Sequence, residues 1–312
     1  DLKPVPYIDN FDYSNYLQRY YVTAILEVYD LTLIHEGGGM LRYFDQLRIG
    51  LEMKLNELFV DPYGDFMAGL LLGRKRGLSS ELMEKFNQLG LTHIIAVSGY
   101  NVSLMVIAAF SFAGFFRMGR RVKVIFAILL VFCFVVLVGA SAAVVRAGIM
   151  GVIALFAAYF GRVYNFSRAL LFVLIAVYFY NPFIVFYDVG FQLSFLSTCG
   201  VTYLYPKLES FGKYIPSFFA IRESFLMTIA SQLAVLPIVY FQFGGFSWIS
   251  PFANVLILPL IPFAMLAGFL ALLFSLFSSF LSLLFAFLAY LVMDIVLLIV
   301  DAFSFFTSPG TI

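Results

Sequence analysis

The chain has 312 residues, of which 62% are hydrophobic and 12% charged, with a mean hydropathy of +0.98 and a formal net charge of +1. A soluble domain averages about 45–50% apolar and about 25% charged residues, so this chain lacks the polar surface to cover a water-soluble globule of its size. A cytosolic enzyme, a secreted disulfide scaffold and a disordered tail are excluded, which leaves an integral membrane protein.

Charge divides the chain in two. Residues 1–93 carry a net charge of −4 and residues 94–312 a net of +5. The first third reads as a polar module and the remainder as the membrane part, with the boundary near Gly90. The chain opens at Asp1 without a basic, apolar leader, so no signal peptide is visible, and it reads as a processed product or an excised piece.

From the N-terminus, Tyr20 to Ile34 is rich in β-branched and aromatic residues and ends at Gly37-Gly38-Gly39, the pattern of one or two strands closing at a turn. Leu41, Phe44, Leu47, Leu51, Leu55 and Leu58 recur at helical spacing, so Met40 to Val60 is expected to be an amphipathic helix stopped before Pro62. Asp65 to Leu72 is apolar but far short of the roughly 20 residues a span needs. It is expected under the membrane part or in the interface. A second amphipathic helix runs from Ser80 to Leu89, with Gly90 as its stop.

The membrane part is expected to be all-α and polytopic, with about eight transmembrane helices at 94–116, 122–139, 142–160, 169–181, 183–205, 223–241, 249–273 and 279–302. Pro237, Pro251, Pro259 and Pro262 fall inside spans, so some helices are Pro-broken. Broken helices either line a cavity or reflect the general frequency of Pro in membrane helices. Nine of the ten basic residues after residue 93 sit in three segments, Arg117 to Lys123, Arg162 to Arg168 and Lys207 to Arg222, and the alternation puts all three on one side. By the positive-inside rule that side is cytoplasmic, and the N-terminal module and C-terminus are extracytoplasmic.

An ionised side chain at the centre of a span costs roughly 2.5–3.5 kcal/mol, so polar residues there need a partner, water or a function. With this orientation His93, Arg146, Asp188 and Asn254 lie near the outer surface, and Ser98, Asn101, Gln192 and Gln232 add uncharged polar groups. Together they outline a polar vestibule open to the outside. Asp188 and Gln192 are spaced i,i+4 and share a face. Ala143, Ala147 and Gly151 make a small-residue stripe that would hold Arg146 at a helix–helix boundary. Arg146 otherwise snorkels to headgroups or pairs with Asp188, and His93 otherwise caps the preceding turn. Cys133 and Cys199 lie in apolar runs without disulfide or metal spacing, and His35 and His93 are the only histidines, so no metal or cofactor is expected. Ala96-Val97-Ser98-Gly99 has the look of the serine turn of intramembrane proteases. His93, five positions away, lies about 140° round a helix from Ser98, which weakens a nucleophile–base pair.

Four ordered stretches stand out: Leu70-Leu71-Leu72-Gly73 with Gly77-Leu78-Ser79; Gly90 to Val102, which contains His93, Ser98, Tyr100 and Asn101; Arg146-Ala147-Gly148-Ile149-Met150; and Asn181-Pro182 followed by Asp188 to Phe195, which contains Phe191 and Gln192. In this order they resemble the ComEC competence family of bacterial natural transformation. Phe11 to Leu17 resembles the region leaving that family's OB-like extracellular domain, so a small N-terminal α+β segment is expected as its tail. The resulting division is 1–39 as that tail, 40–93 as amphipathic helices and 94–312 as the channel domain. The resemblance implies a non-enzymatic inner-membrane channel passing single-stranded DNA into the cytoplasm, surrounded by lipid. It also implies a DNA receptor outside and a helicase-like ATPase inside. No G-x-x-x-x-G-K-[ST] run is present, so the motor is a partner. The family's metallo-β-lactamase-like nuclease domain would be separate or missing, because no histidine follows His93.

The DNA path expected from these residues is His93, Ser98, Tyr100, Asn101, Arg146, Asp188, Phe191, Gln192, Gln232 and Asn254, with Tyr100 and Phe191 as stacking or gating groups. The alternatives are a secondary transporter of a small polar or anionic solute, with Asp188 or Asp294 as proton site, and an intramembrane serine hydrolase built on Ser98.

Overall fold

The computed structural model describes residues 40–73, 77–95, 99–211, 221–243 and 249–305, together with 2–3, 17 and 25–26. In the N-terminal region β1 (Leu2–Lys3) pairs antiparallel with β2 (Ile25–Leu26). The remaining strand, turn and OB-tail expectations for residues 1–39 lie outside the described residues.

From residue 40 the described chain is helical. Helix α1 (Met40–Leu58) and α3 (Ser80–Gln88) fall where the 3.6-residue periodicity puts them. Ser79 caps α3, its Oγ accepting from the Leu82 backbone N–H at 3.2 Å. Gly90 follows it at φ +64°, a left-handed turn that glycine enters without strain. Between α1 and α3 lies α2 (Tyr63–Leu72), whose Phe66, Met67, Ala68, Gly69, Leu70 and Leu72 are all buried. It is short, apolar and packed against protein.

The long apolar runs give α4 (Thr92–Ile95), α5 (Gly99–Phe115), α6 (Arg120–Leu137), α7 (Ala142–Tyr159) and α8 (Phe166–Tyr180). After them come α9 (Pro182–Tyr187), α10 (Val189–Cys199) and α11 (Tyr205–Phe211), the last two joined through a π-helical turn at Gly200–Leu204. The final group is α12 (Ile221–Phe243), α13 (Ser250–Ile257), α14 (Ile261–Phe274) and α15 (Ser279–Ser304).

Three of these are long and apolar enough to cross a membrane: α7, α12 and α15. The pair α13 and α14, bent by 44° across the Pro259 break, makes a fourth if it counts as one span. Helices α5 and α8 are apolar but have 17 and 15 residues, and α6 carries Arg120, Arg121 and Lys123 in its first turn. The expected single span at 183–205 is corrected. The chain breaks at Asp188, which leaves the helical region at φ −87° and ψ 97° and separates α9 from α10.

Two apolar assemblies result. In the first, Leu55, Phe59, Phe66, Leu70, Phe86, Leu89 and Ile95 from α1–α4 share one core with Ile257, Ala264, Met293 and Val300 from α13–α15. That core crosses the boundary the charge distribution draws near Gly90. In the second, α5, α6, α7 and α8 pack through smaller clusters, around Val102, Val131 and Ala147 and around Met150 and Leu170. Glycines of α7 lie against both neighbouring helices. A Cβ on Gly151 would stand 3.6 Å from Val106 of α5, and one on Gly148 would stand 2.9 Å from Val135 of α6.

Candidate functional site

Among the described residues, the polar side chains of the membrane part form three hydrogen-bonded groups. The first centres on Arg146. Its side chain leaves the middle of the first half of α7 and is 6% exposed. Nη1 donates to the Ser194 carbonyl oxygen at 2.7 Å and to the Thr198 hydroxyl, both on α10. Thr198 in turn donates to the same Ser194 carbonyl at 2.7 Å. The α10 ladder is perturbed just beyond this point, where Gly200–Leu204 winds into its π-helical turn. Gly99, the first residue of α5, closes the other side: a Cβ on it would lie 3.5 Å from Nη2 and 3.4 Å from the Ala147 Cβ. Nε is buried with no hydrogen-bond partner. The expected Arg146–Asp188 pair does not form; the guanidinium reaches α10 about two to three turns further along, where a backbone carbonyl and a hydroxyl receive it.

Asp188 and Gln192 make the second grouping, at the corner between α9 and α10. Asp188 is 9% exposed and caps α10, its Oδ1 accepting from the Phe191 N–H at 2.9 Å. Gln192 reaches back and donates from Nε2 to the Val185 and Phe186 carbonyls at 3.2 and 2.6 Å. These are carbonyls of α9 left free by its end. The i,i+4 face read from the sequence is therefore a clasp on a helix corner. Phe191 is buried and stacks on Phe195, with ring centroids 6.0 Å apart.

The third grouping surrounds Ser250 at the start of α13. Gln232 of α12 donates from Nε2 to Ser250 Oγ at 2.8 Å, and Asn254 donates from Nδ2 to the same oxygen at 3.2 Å. Asn254 is 2% exposed and its Oδ1 has no partner. Gly90 lies against this hydroxyl, where a Cβ would come within 3.0 Å of Oγ. His93, one turn on, donates from Nδ1 to the Gly90 carbonyl at 3.1 Å, which fixes its tautomer. It thus caps the turn before it.

Asn101 stands apart from all three. It is buried and donates to the Leu70 carbonyl at 3.3 Å, tying α5 to α2. Ser98 and the Tyr100 side chain lie outside the described residues. The structure thus places Arg146 beside Gly99, groups Gln232 and Asn254 near His93, and puts Asp188, Phe191 and Gln192 together. Sequence reasoning missed Ser194, Thr198 and Ser250. The i,i+4 pair Ser194 and Thr198 on an intramembrane helix, and Ser250 before Pro251, were the available signals.

One open cavity, of about 420 Å³, lies elsewhere, lined by Pro206, Glu209, Ser210 and Arg222. Among the described residues no group of His, Cys, Asp and Glu could hold a metal ion.

The stretches that carry these groupings belong to one family match. The model of the family described as Competence protein matches residues 70–310. The chain belongs to the competence protein family. It is 26% identical over 261 residues to ComE operon protein 3 of Bacillus subtilis (strain 168), a match covering 84% of this chain and 33% of that protein. The chain therefore spans about a third of the length of that relative. No solved structure matches it. In this competence protein the family match takes in all three groupings and every helix from α3 onward.

Proposed function

We propose that this chain is the membrane channel part of a DNA-uptake apparatus, carrying a single strand of transforming DNA across the bacterial cytoplasmic membrane. The observation that carries the reading is the family match over residues 70–310, which covers the apolar helices and the polar groupings between them. The match to ComE operon protein 3 supports the same role.

The finer proposal has eight spans. The first is α4 and α5, followed by α6, α7, α8, then α10 with its π-turn and α11, α12, the bent pair α13 and α14, and α15. Basic residues support a cytoplasmic face at 117–123, 162–168 and 207–222, with residues 1–93 and the C-terminus outside. Residues 1–39 are then the tail of an OB-like region, 40–93 the helices that brace the outer end, and 94–312 the channel domain. The strand's path runs past His93, Ser98, Tyr100, Asn101, Arg146, Asp188, Phe191, Gln192, Gln232 and Asn254. These supply one fixed cation, uncharged amides and aromatic faces, which suits a polyanion with exposed bases, while the one carboxylate, Asp188, is engaged as the cap of α10. An external DNA receptor delivers the strand, a helicase-like ATPase draws it in, and a separate nuclease degrades its complement.

A proton-coupled small-solute transporter built on Asp188 or Asp294 needs that carboxylate to exchange protons. Asp188 is engaged as a helix cap, and Asp294 accepts from the Tyr63 hydroxyl at 2.7 Å. The test follows labelled donor DNA in the native host with this gene deleted and then restored. DNA that still binds outside but fails to enter, with entry recovered on restoration, is the expected result. Entry unchanged by the deletion would refute the channel reading.

A further inference from the structure

We infer that the unused edge of the Arg146 guanidinium is a phosphodiester-binding site, and that the strand's backbone is what it receives. This rests on the DNA-uptake reading and gives it a specific contact.

A guanidinium carries five N–H donors in a rigid fork. Here Nη1 is spent on the Ser194 carbonyl and the Thr198 hydroxyl. Among the described residues neither Nε nor Nη2 has a hydrogen-bond partner, and Nε is fully buried. Among them, too, no carboxylate forms an ion pair with Arg146. A cation 6% exposed within a membrane helix, with three of its five donors idle among the described residues, is costly as it stands. The Nε/Nη2 edge is the one that takes a phosphate or carboxylate bidentately.

The neighbour on that edge is Gly99, which brings no side chain against it. A Cβ there would already lie 3.5 Å from Nη2, and a larger side chain would cover it. Meanwhile the Ser194 and Thr198 bonds hold the fork from behind, on a helix whose own ladder is loosened one turn later. The arrangement is a guanidinium fixed by one nitrogen, with the other two buried or nearly so and unpaired among the described residues. An isolated monoanion with two exposed oxygens fits it, and each linkage of a DNA strand presents one. A single such site grips one linkage at a time, so it can steer a moving strand without trapping it.

The test uses the full chain purified in a maltoside detergent, which carries no phosphate. A short fluorescent single-stranded oligonucleotide is compared with its uncharged methylphosphonate analogue by anisotropy. Wild type is expected to bind the phosphodiester strand, and dimethyl phosphate, not neutral trimethyl phosphate, is expected to displace it. Arg146→Gln should weaken that binding about tenfold or more, the range of a lost charge-assisted hydrogen bond. Arg146→Lys should recover only part of it, lacking the fork. Gly99→Val leaves the arginine in place and should weaken the phosphodiester strand alone. Unchanged affinity in Arg146→Gln overturns the site, as does an equal loss for the charged and uncharged strands, which marks a purely structural arginine. Retention of added phosphatidylglycerol that depends on Arg146 while strand affinity does not gives the edge to a lipid headgroup and also overturns it. Should Arg146→Gln fail to fold, the dimethyl phosphate competition on wild type and Gly99→Val still decide. The deletion experiment on DNA entry separates the parent reading. Gene-dependent entry with no Arg146 effect sinks this site alone, whereas entry independent of the gene sinks the uptake role whatever the oligonucleotide does.

Discussion

Asp188 shows what a buried carboxylate in this fold is used for. Its Oδ1 receives the Phe191 N–H and so satisfies one of the unpaired donors at the start of α10. Asparagine caps a helix as well as aspartate does, and alanine does not. Asp188→Asn is therefore expected to keep both melting temperature and DNA entry, whereas Asp188→Ala should lose about 1 kcal/mol of stability. If Asn abolished transport while folding normally, a proton-carrying carboxylate would return as the mechanism. The residue type and its place were legible from the sequence, but its partner was not. A carboxylate near an arginine reads as an ion pair, and here the acceptors of Arg146 are a backbone oxygen and a threonine. Every residue carries a backbone oxygen, so that partner leaves no mark in the residue pattern.

At the scale of elements, two junctions decide the arrangement. Gly200 begins the π-turn after α10 and meets α12 closely: a Cβ there would run into the Ala230 carbonyl oxygen and the Ala234 side chain. Because the obstacle is backbone, Gly200→Ala must push the helices apart, and a loss of about 1–3 kcal/mol is expected in thermal melts. The second junction fastens α3 to α15, where Lys85 pairs with Asp301 and with Glu81, both at 2.9 Å. Hydrogen bonds to Glu81 and then Asp301 raise the Lys85 ammonium above its ordinary value of 10.5. A raised lysine stabilises the folded chain below that ordinary value and loses its contribution as pH climbs through the raised one. Melting temperature is expected to fall across alkaline pH above about 10.5 in wild type and to fall less in Lys85→Met. An identical pH profile in the two proteins would show that this junction adds nothing. Helix positions themselves were readable because apolar runs and capping residues are local. The break at Asp188 was hidden inside a run that is apolar on both sides of it.

At the scale of the whole molecule, residues 40–95 share one core with the last membrane helices. Phe86 of α3 is fully buried beside Phe66 of α2, with ring centroids 5.7 Å apart, in the core that also holds Met293 and Val300. Phe86→Ala is expected to cost about 3–5 kcal/mol, because the cavity lies where two regions meet and cannot close locally. Its destabilisation should appear as one transition involving both α3 and α15, read by hydrogen exchange of the two peptides. Independent exchange, with α3 released and α15 still protected, would mean that residues 40–95 are a separable cap.

The sequence by itself determined that this is a membrane protein of helices, where most of those helices lie, and which rare polar residues sit among them. Those properties depend on composition and on near-neighbour spacing, which a linear chain displays directly. Only the tertiary structure decided that α1–α4 share a core with α13–α15. It also decided that Ser250 gathers Gln232, Asn254 and Gly90, and that Arg146 spends one nitrogen on α10 while its other two are unpaired among the described residues. Each of these joins residues distant in sequence through backbone atoms or through the absence of a side chain, and neither has a residue-type signature for a sequence to show.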